Sequence, residues 1–296
     1  MSNVIKTNRI NIRLSEEDKK ILELAAKKNR QSLSSYIISA AIKQADKSDL
    51  FEEPGSGSFA SRSICSKEIM DFYYSAETYV LSRSNNLSLV KELYLSVISK
   101  NEKEADAFVA KLPGIRRQLD DDLTFFMDCD PAADSRDEVI LAYPGFKAIR
   151  YHRIAHELYA LNEKLFARII AEEAHEQTGV DIHPGASIDS PFFIDHGTGI
   201  VIGETTVIGK RVRIYQSVTL GALSLAKGSK IKGVKRHPTI GDDVTIYAGV
   251  SILGGEVTVG DRVTIGSNVF LTESIPNDMR VTIGKPELLL KEKKMK

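Results

Sequence analysis

Aliphatic residues recur at every sixth position through the second half of the chain, and this rhythm restricts the fold more than any other feature. A six-residue repeat is typical of a parallel β-helix, in which each hexapeptide forms one short strand and one turn. The aliphatic side chains then stack inside the coil on their equivalents above and below. We therefore predict a parallel β-helix here, with four aliphatic runs: Ile182, Ile188 and Ile194; Ile202, Ile208, Ile214 and Leu220; Ile240, Ile246 and Ile252; and Val259, Ile265 and Leu271.

Three interruptions of this rhythm point to function. The spacing slips by two residues between Gly199 and Ile202, leaves the pattern from Gly221 to Thr239, and slips by one near Glu256. A uniform scaffold needs no such breaks, and loops that leave a rigid framework commonly carry binding and catalytic residues. We expect the functional side chains to lie beside these breaks.

The composition excludes several classes of protein. Among 296 residues, 40 basic side chains balance 40 acidic ones, so no overall field draws the chain to nucleic acid or to a membrane. No window is long and apolar enough to cross a bilayer, and the N-terminus lacks an apolar signal core. Two cysteines cannot form a disulfide framework. We expect a cytoplasmic protein with reduced thiols.

The pattern along the chain predicts an α+β protein in several parts. An N-terminal ribbon-helix-helix-like segment is expected at 1–47, and a Gly/Ser-rich linker at 48–66. An α-helical domain at 67–178 follows, because apolar residues recur there at helical spacing. The left-handed parallel β-helix spans 179–284, and a basic tail spans 285–296.

The N-terminal prediction comes from a short run of local signals. Residues 9–14 alternate polar and apolar side chains like a half-buried strand, and Ser15 with three acidic residues after it is typical of a helix start. This segment resembles antitoxin-type ribbon-helix-helix proteins, in which paired strands enter the DNA major groove. The resemblance implies that Arg9, Asn11 and Arg13 contact bases. The alternative is that the strand only pairs two chains.

Four clusters carry candidate chemistry: Asp130-Pro131, Asp181-Ile182-His183, Asp195-His196 and Arg236-His237. Because one coil is about 18 residues long, the side chains of Asp181 and His196 can meet at adjacent levels of one edge. A histidine backed by a carboxylate is a minimal general base. A guanidinium suits a substrate carboxylate, and two carboxylates suit an ammonium group. Together the clusters predict a site for a hydroxylated amino acid.

The same residues resemble the serine O-acetyltransferases, a family of hexapeptide-repeat acyltransferases. The resemblance covers 122–284 and implies transfer of acetyl from acetyl-CoA to the hydroxyl of L-serine, which provides O-acetylserine for cysteine synthesis. The ordered set of stretches is more specific than the hexapeptide rhythm alone. It comprises Asp130-Pro131-Ala132, Tyr143-Pro144-Gly145-Phe146, Tyr151-His152-Arg153-Ile154-Ala155-His156, Asp181-Ile182-His183-Pro184, Asp195-His196-Gly197-Thr198-Gly199, Gln216-Ser217-Val218-Thr219-Leu220-Gly221 and Arg236-His237-Pro238.

The resemblance also implies a role for each site residue. His196 would be the general base, paired with Asp181. Asp130 and Asp195 would hold the amino group of serine, Arg236 its carboxylate, and His237 would line the same pocket. The implied contacts to acetyl-CoA are Gly221, Ala248 and Ser267 for the pantetheine arm and the loop lysines, Lys235 among them, for the phosphates.

Other expectations concern partners and alternatives. Such β-helix enzymes are usually trimers, and a paired N-terminal segment would make a dimer of trimers. The isoleucine tail with which many family members bind the next enzyme of the pathway is absent, so that complex is not expected. No metal is expected, because His152 and His156 share a helix face without a third ligand. A sugar acetyltransferase, a zinc β-helix enzyme and a DNA-binding regulator are the competing hypotheses.

Overall fold

The computed structural model describes residues 16–28, 33, 66–82, 86–223 and 234–284. The predicted strand at 9–14 with Arg9, Asn11 and Arg13, most of the N-terminal segment after residue 28, nearly all of the linker and the basic tail lie outside these ranges. Contacts divide the chain into two units, Met1–Ser63 and Ile64–Lys296. Each unit is described by itself.

The described part of the first unit is helix α1, Glu16–Lys28. It begins directly after Ser15, as the capping signal predicts. Ile21 is 60% exposed and Leu24 is 70% exposed, whereas Ala26 is buried. The helix therefore keeps apolar side chains that it does not bury by itself.

The second unit begins with a helical region. The helices are α2 (Ser66–Leu81), α3 (Leu87–Leu93), a π-helical turn (Tyr94–Ile98), α4 (Glu102–Cys129), α5 (Arg136–Ala142), α6 (Pro144–Ala160) and α7 (Lys164–Thr178). Asn101 and Ser135 cap α4 and α5 with their side chains. Aromatic rings, including those of Phe72, Phe108 and Phe126, fill the core of the helical region. Within the described ranges, no helix combines the length and the apolar character that crossing a bilayer requires.

Fourteen short strands of the described chain form three parallel sheets, one for each side of a triangular coil. The sheet orders are β1-β4-β7-β10-β13, β2-β5-β8-β11 and β3-β6-β9-β12-β14. This confirms the predicted left-handed parallel β-helix. The strands are β1 (Val180–Ile182), β2 (Ser187–Ile188), β3 (Phe192–Ile194), β4 (Ile200–Ile202), β5 (Val207–Ile208), β6 (Val212–Ile214), β7 (Thr219–Gly221), β8 (Thr239–Ile240), β9 (Thr245–Ile246), β10 (Ser251–Leu253), β11 (Thr258–Val259), β12 (Thr264–Ile265), β13 (Phe270–Leu271) and β14 (Arg280–Val281).

The aliphatic rhythm stacks as predicted. Ile182 pairs with Ile202, Ile202 with Leu220, and Leu220 with Ile252, and all four are at most 4% exposed. The interruptions also have a structural form. The chain takes two residues more from Ile194 to Ile202 than from their pairing partners Ile214 to Leu220 in the next coil. Strands β7 and β8 are separated by residues 222–238, of which 224–233 lie outside the described ranges.

A buried ion pair joins the helical region to the first coil. Arg153 on α6 donates from Nε and Nη2 to the carboxylate of Asp122 on α4, at 2.6 and 2.8 Å. The same carboxylate accepts from Ser190 Oγ and from the N–H of Phe192, which precede and begin β3. A buried charge pair of this kind is stable when its other hydrogen-bonding capacity is also satisfied. It fixes α4 and α6 against the strand that leads to Asp195.

Candidate active site

The turn at 195–199, between β3 and β4, carries the predicted general base; we call it the His196 corner. Helix α6 begins next to it, because Gly145 approaches Ile194 so closely that a Cβ would lie 2.1 Å from its carbonyl oxygen. The rings of Tyr215 and Tyr247 stack in the following turns, with centroids 5.1 Å apart. The corner is therefore built by the β-helix and the start of α6 together.

His196 projects from the longest of these turns. Its φ is 58°, in the left-handed region that few non-glycine residues occupy, and its side chain is 70% exposed. Nδ1 lies 3.7 Å from Oδ1 of Asp195. Among the described residues no hydrogen bond joins His196 to Asp181, which lies on β1 in register with Val201. The pairing of His196 with Asp181 stays a prediction.

Asp130 lies at the end of α4, where its Oδ1 accepts from the N–H of Ala132 at 2.9 Å. Its neighbour is Tyr143, the residue before α6. Burial, then a hydrogen bond to Asp130 and the charges of Glu138 and Asp195, raises the pKa of Tyr143 to about 12. Both predicted ammonium acceptors, Asp130 and Asp195, thus act on the same phenol and share its neighbourhood.

The second set of candidate residues lies where β4 turns into β5 and where the excursion rejoins the coil before β8. We call residues 203–206 and 234–238 the Arg236 corner. Nη2 of Arg236 donates to the carboxylate of Glu204, and the hydroxyl of Tyr159 donates to its other oxygen at 2.6 Å. The Tyr159 hydrogen bond and Arg236 lower the pKa of Glu204 to about 2, against the opposing effect of burial. Glu204 is therefore a carboxylate at neutral pH.

His237 is buried in the same corner, with 7% of its surface exposed. Burial, followed by the charges of Arg236 and Lys235, lowers the pKa of its imidazole to about 4. Its ring occupies the space above Gly203, where a Cβ would lie 2.1 Å from Cδ2. Only glycine at 203 leaves room for this position of the ring.

The predicted acetyl-CoA contacts divide between the corners. Ala248 and Ser267 belong to the turns above the His196 corner, and Asn268 donates to the carbonyl of Ala248. Gly221 ends β7, on the side of the Arg236 corner. Nζ of Lys235 donates to the carbonyl oxygens of Thr205 and Pro238, at 2.6 and 3.1 Å. Its predicted contact with CoA phosphates would have to compete with these bonds.

The two corners lie at opposite ends of the sheet that contains β4. Strand β4 (Ile200–Ile202) begins directly after the turn 195–199 and ends at the turn that starts with Gly203. One chain therefore brings Asp130, Asp195 and His196 into one neighbourhood and Arg236 and His237 into another. It does not bring all five predicted residues together.

Glu204, Thr205 and Tyr159 received no role from the sequence. The sequence held no signal for Glu204, because only the structure shows that Ile208 pairs with Ile240 across the excursion. The same offset of register aligns Glu204 with Arg236. Tyr159 has no signal either, since its contact joins a helix to a coil turn.

The described residues also bear on metal binding. Across 16–28, 66–82, 86–223 and 234–284, no three His, Cys, Asp or Glu side chains group closely enough to hold a metal ion. The rings of His152 and His156 lie 5.6 Å apart, and Nδ1 of His156 donates to the carbonyl of Pro184 at 2.8 Å.

Both units are similar to known proteins. A family model described as antitoxin TacA 1-like matches residues 9–48, which confirms the resemblance of the N-terminal segment. The plasmid serine acetyltransferase of Synechococcus elongatus is 56% identical over 185 residues, which are 61% of this chain and 58% of the relative. The chain thus spans less than two thirds of that relative's length.

Other relatives are covered more fully. A serine acetyltransferase of Staphylococcus aureus is 43% identical over 176 residues, 60% of this chain and 79% of the relative. Serine acetyltransferase isoform 3 of Entamoeba histolytica, solved with cysteine, has a TM-score of 0.66 at 35% identity and covers 83% of this chain and 92% of its own. This chain belongs to the serine acetyltransferase family.

Proposed function

We propose that the chain transfers the acetyl group of acetyl-CoA to the hydroxyl of L-serine, giving O-acetyl-L-serine and CoA. One observation carries the proposal: an exposed histidine beside a carboxylate occupies one corner of the β-helix, and an arginine held by a half-buried carboxylate occupies the next. The first suits deprotonation of a hydroxyl, and the second suits a carboxylate. Serine carries both groups.

The chemistry follows from these residues. His196 removes the proton of the serine hydroxyl as the oxygen attacks the thioester carbonyl of acetyl-CoA. The tetrahedral intermediate then collapses, the bond from carbon to sulfur breaks, and the CoA thiolate takes up the proton from the imidazolium. A carboxylate at Asp181 or Asp195 would stabilise the transient imidazolium.

Serine is recognised at both ends in this proposal. Asp130 and Asp195 hold its ammonium group, and Arg236 holds its carboxylate. Nη1 of Arg236 is buried and has no partner among the described residues, while Nη2 is bound to Glu204. One edge of the guanidinium is therefore oriented by Glu204, and Nη1 keeps hydrogen-bonding capacity that no described residue satisfies. A sugar hydroxyl offers neither an ammonium nor a carboxylate, which disfavours the sugar acetyltransferase hypothesis.

Acetyl-CoA is the co-substrate in this proposal. Serine acetyltransferases solved with serine and with CoA are structural relatives of the chain, at 28% and 26% identity. Gly221 carries no side chain, and a Cβ there would lie 2.9 Å from Cδ2 of Leu253, so the position favours glycine. Ala248 and Ser267 provide small side chains at the other corner. These features fit a pantetheine arm that lies along the coil.

The division of the site between two corners supports a homotrimer, or a dimer of trimers. In a ring of three chains, the His196 corner of one chain can face the Arg236 corner of its neighbour. Each active site would then combine Asp130, Asp195 and His196 from one chain with Arg236 and His237 from the next. Gly221 of one chain would similarly meet Ala248 and Ser267 of another.

The reaction is tested by measuring CoA release with a thiol reagent. L-serine, L-homoserine and a β-galactoside are compared as acceptors with the wild type and His196→Ala. We expect release that depends on serine and disappears in the variant. Release that is independent of serine, or unaffected by the loss of His196, would refute the proposal.

A shared site has its own test. His196→Ala and Arg236→Ala chains, each inactive alone, are co-expressed with different affinity tags and purified as mixed oligomers. A mixed trimer contains one interface of three with both intact corners, so the purified mixed trimers should show about a third of wild-type activity. No restoration in confirmed mixed trimers would place the whole site within one chain.

A second function, DNA binding by 1–47, is favoured by the antitoxin-type match at 9–48. Arg9, Asn11 and Arg13 are proposed as base contacts of a paired strand. A gel shift with random duplexes at two salt concentrations tests this, since phosphate contacts make binding salt-dependent. Binding that persists in Arg9→Ala/Arg13→Ala would exclude these residues as the contacts.

A further inference from the structure

The hydroxyl of Thr205 joins the two residues of the Arg236 corner. Its Oγ1 accepts hydrogen bonds from the backbone N–H of Arg236 at 2.9 Å and of His237 at 3.1 Å. A hydroxyl has two acceptor lone pairs and one hydrogen, so these bonds fill its acceptor capacity. The hydrogen remains to be donated, and Nδ1 of His237 lies 2.9 Å away.

The backbone of Thr205 acts on the same ring atom. Its N–H lies 3.0 Å from Nδ1 of His237 and makes a hydrogen bond to it. A backbone N–H can only donate, so Nδ1 must accept and carries no proton. In a neutral imidazole the proton then lies on Nε2.

The opposite ring atom is left for a ligand. Nε2 of His237 has no hydrogen-bond partner among the described residues, yet it is not one of the polar atoms sealed from solvent. The ring cannot turn over freely, because its edge lies against Gly203. A Cβ added at Gly203 would lie 2.2 Å from Nε2, so the donor keeps one direction within the Arg236 corner.

We propose that Thr205 is a positioning residue that fixes His237 as its Nε2–H tautomer, so that the ring offers the substrate a hydrogen-bond donor. His237 then donates to an oxygen of the bound amino acid and removes no proton in the reaction. The effect on turnover rests on the proposed function, whereas the tautomer is a property of the protein without substrate.

Other histidines show that the fold does not impose one tautomer. Nδ1 of His156 lies 2.8 Å from the carbonyl oxygen of Pro184, which can only accept, so this ring carries its proton on Nδ1. Nδ1 of His183 accepts from the N–H of Gly185 at 3.0 Å, as His237 does from Thr205. The chain thus contains internal references for both states.

The tautomer is measured directly by magic-angle-spinning NMR of the full chain with ¹⁵N-labelled histidine, because protonated and bare ring nitrogens have different shifts. The spectrum is recorded without substrate near pH 7.5, and His237→Asn assigns the His237 signals by their loss. We expect a bare Nδ1 and a protonated Nε2. A protonated Nδ1, or equal amounts of the two tautomers, would overturn the proposal.

Three variants test what the hydroxyl of Thr205 contributes to holding His237. Thr205→Val removes the hydroxyl with little change of shape, and Thr205→Ser keeps it. Thr206→Val is the matched control, since the Thr206 hydroxyl is buried and has no partner among the described residues. We expect Thr205→Val, which keeps the backbone N–H that donates to Nδ1, to retain the Nε2–H tautomer. Because the N–H groups of Arg236 and His237 lose their shared acceptor, we expect it to raise KM for serine about tenfold, and the other two variants to stay within about twofold of the wild type.

The outcomes separate the two proposals. A Thr205→Val variant that keeps the wild-type KM would refute the role of the Thr205 hydroxyl, and one that protonates Nδ1 would refute the role of the backbone N–H. If Thr205→Val fails to fold, the wild-type spectrum and Thr205→Ser still decide the question. A wild type that shows the Nε2–H signal but no serine-dependent CoA release would refute the proposed function and leave the tautomer assignment intact.

Discussion

The two corners of the β-helix hold their functional side chains very differently. At the Arg236 corner, Glu204 and Thr205 bind Arg236 and His237 through a half-buried set of hydrogen bonds. At the His196 corner, the His196 ring is 70% exposed and its nearest described ionic partner is 3.7 Å away. The difference indicates that one chain completes the proposed carboxylate-binding half of the site. In the proposed trimer, the half that carries the proposed base would gain its remaining partners from substrate and a neighbouring chain.

The largest expected effect tests the His196 corner. His196→Ala should lower kcat by about 10²- to 10⁴-fold or more, because general base catalysis contributes on that order. The variant should unfold at the wild-type temperature, since the ring is exposed and packs against little. His175→Ala, an exposed histidine at the end of α7, is the control. A loss of kcat below tenfold would contradict the proposal that His196 is the general base.

A substitution at the Arg236 corner should change the KM for serine. Glu204→Gln leaves Arg236 without its anionic partner, so we expect KM for serine to rise about 10- to 100-fold with a smaller change in kcat. The matched control is Asp278→Asn, which breaks the exposed pair with Arg262 at another corner of the coil. Steady-state kinetics with serine as the varied substrate measure both. Equal effects of the two variants would show that the Glu204 pair is only structural.

The close contact between Gly203 and His237 tests how rigidly the Arg236 corner holds the His237 ring. Gly203→Ala places a Cβ 2.1 Å from Cδ2 of His237, so the ring must move and kcat/KM should fall about tenfold. Gly114→Ala is the control, because the nearest atom to its added Cβ is 3.9 Å away. That change lies within α4 and should stabilise the protein by about 0.5–1 kcal/mol. Activity unchanged by Gly203→Ala would contradict a fixed ring.

The smallest expected effect is a pH dependence of stability. The pKa of His237 is about 4 when folded and about 6.5 when unfolded, so the unfolded chain binds more protons between these values. Stability is therefore fully present above pH 6.5 and is lost as the pH falls toward 4. His237→Gln should make the unfolding temperature a few degrees less sensitive between pH 7 and 5. His175→Gln should leave that sensitivity unchanged, and thermal unfolding at several pH values decides between them.

Much of the architecture was predictable because the β-helix is a local repeat. Each aliphatic residue that was expected inside the coil at Ile202, Leu220 and Ile252 is buried there. The proximity of Asp195 to His196 also followed from adjacency in sequence. The pairing of Glu204 with Arg236 did not, because it depends on how the chain rejoins the coil after the excursion between β7 and β8.

The sequence by itself determined the coil, its corners and the residue types available for acetyl transfer. The reason is that a six-residue spacing determines which side chains point into the coil, whatever the distant contacts are. Tertiary structure decided which atoms of those residues remain free. Thr205 meets His237 across 32 positions of chain, and only that meeting determines which ring nitrogen carries a proton. Likewise, only the stacking of the coils places His196 and Arg236 at opposite ends of β4.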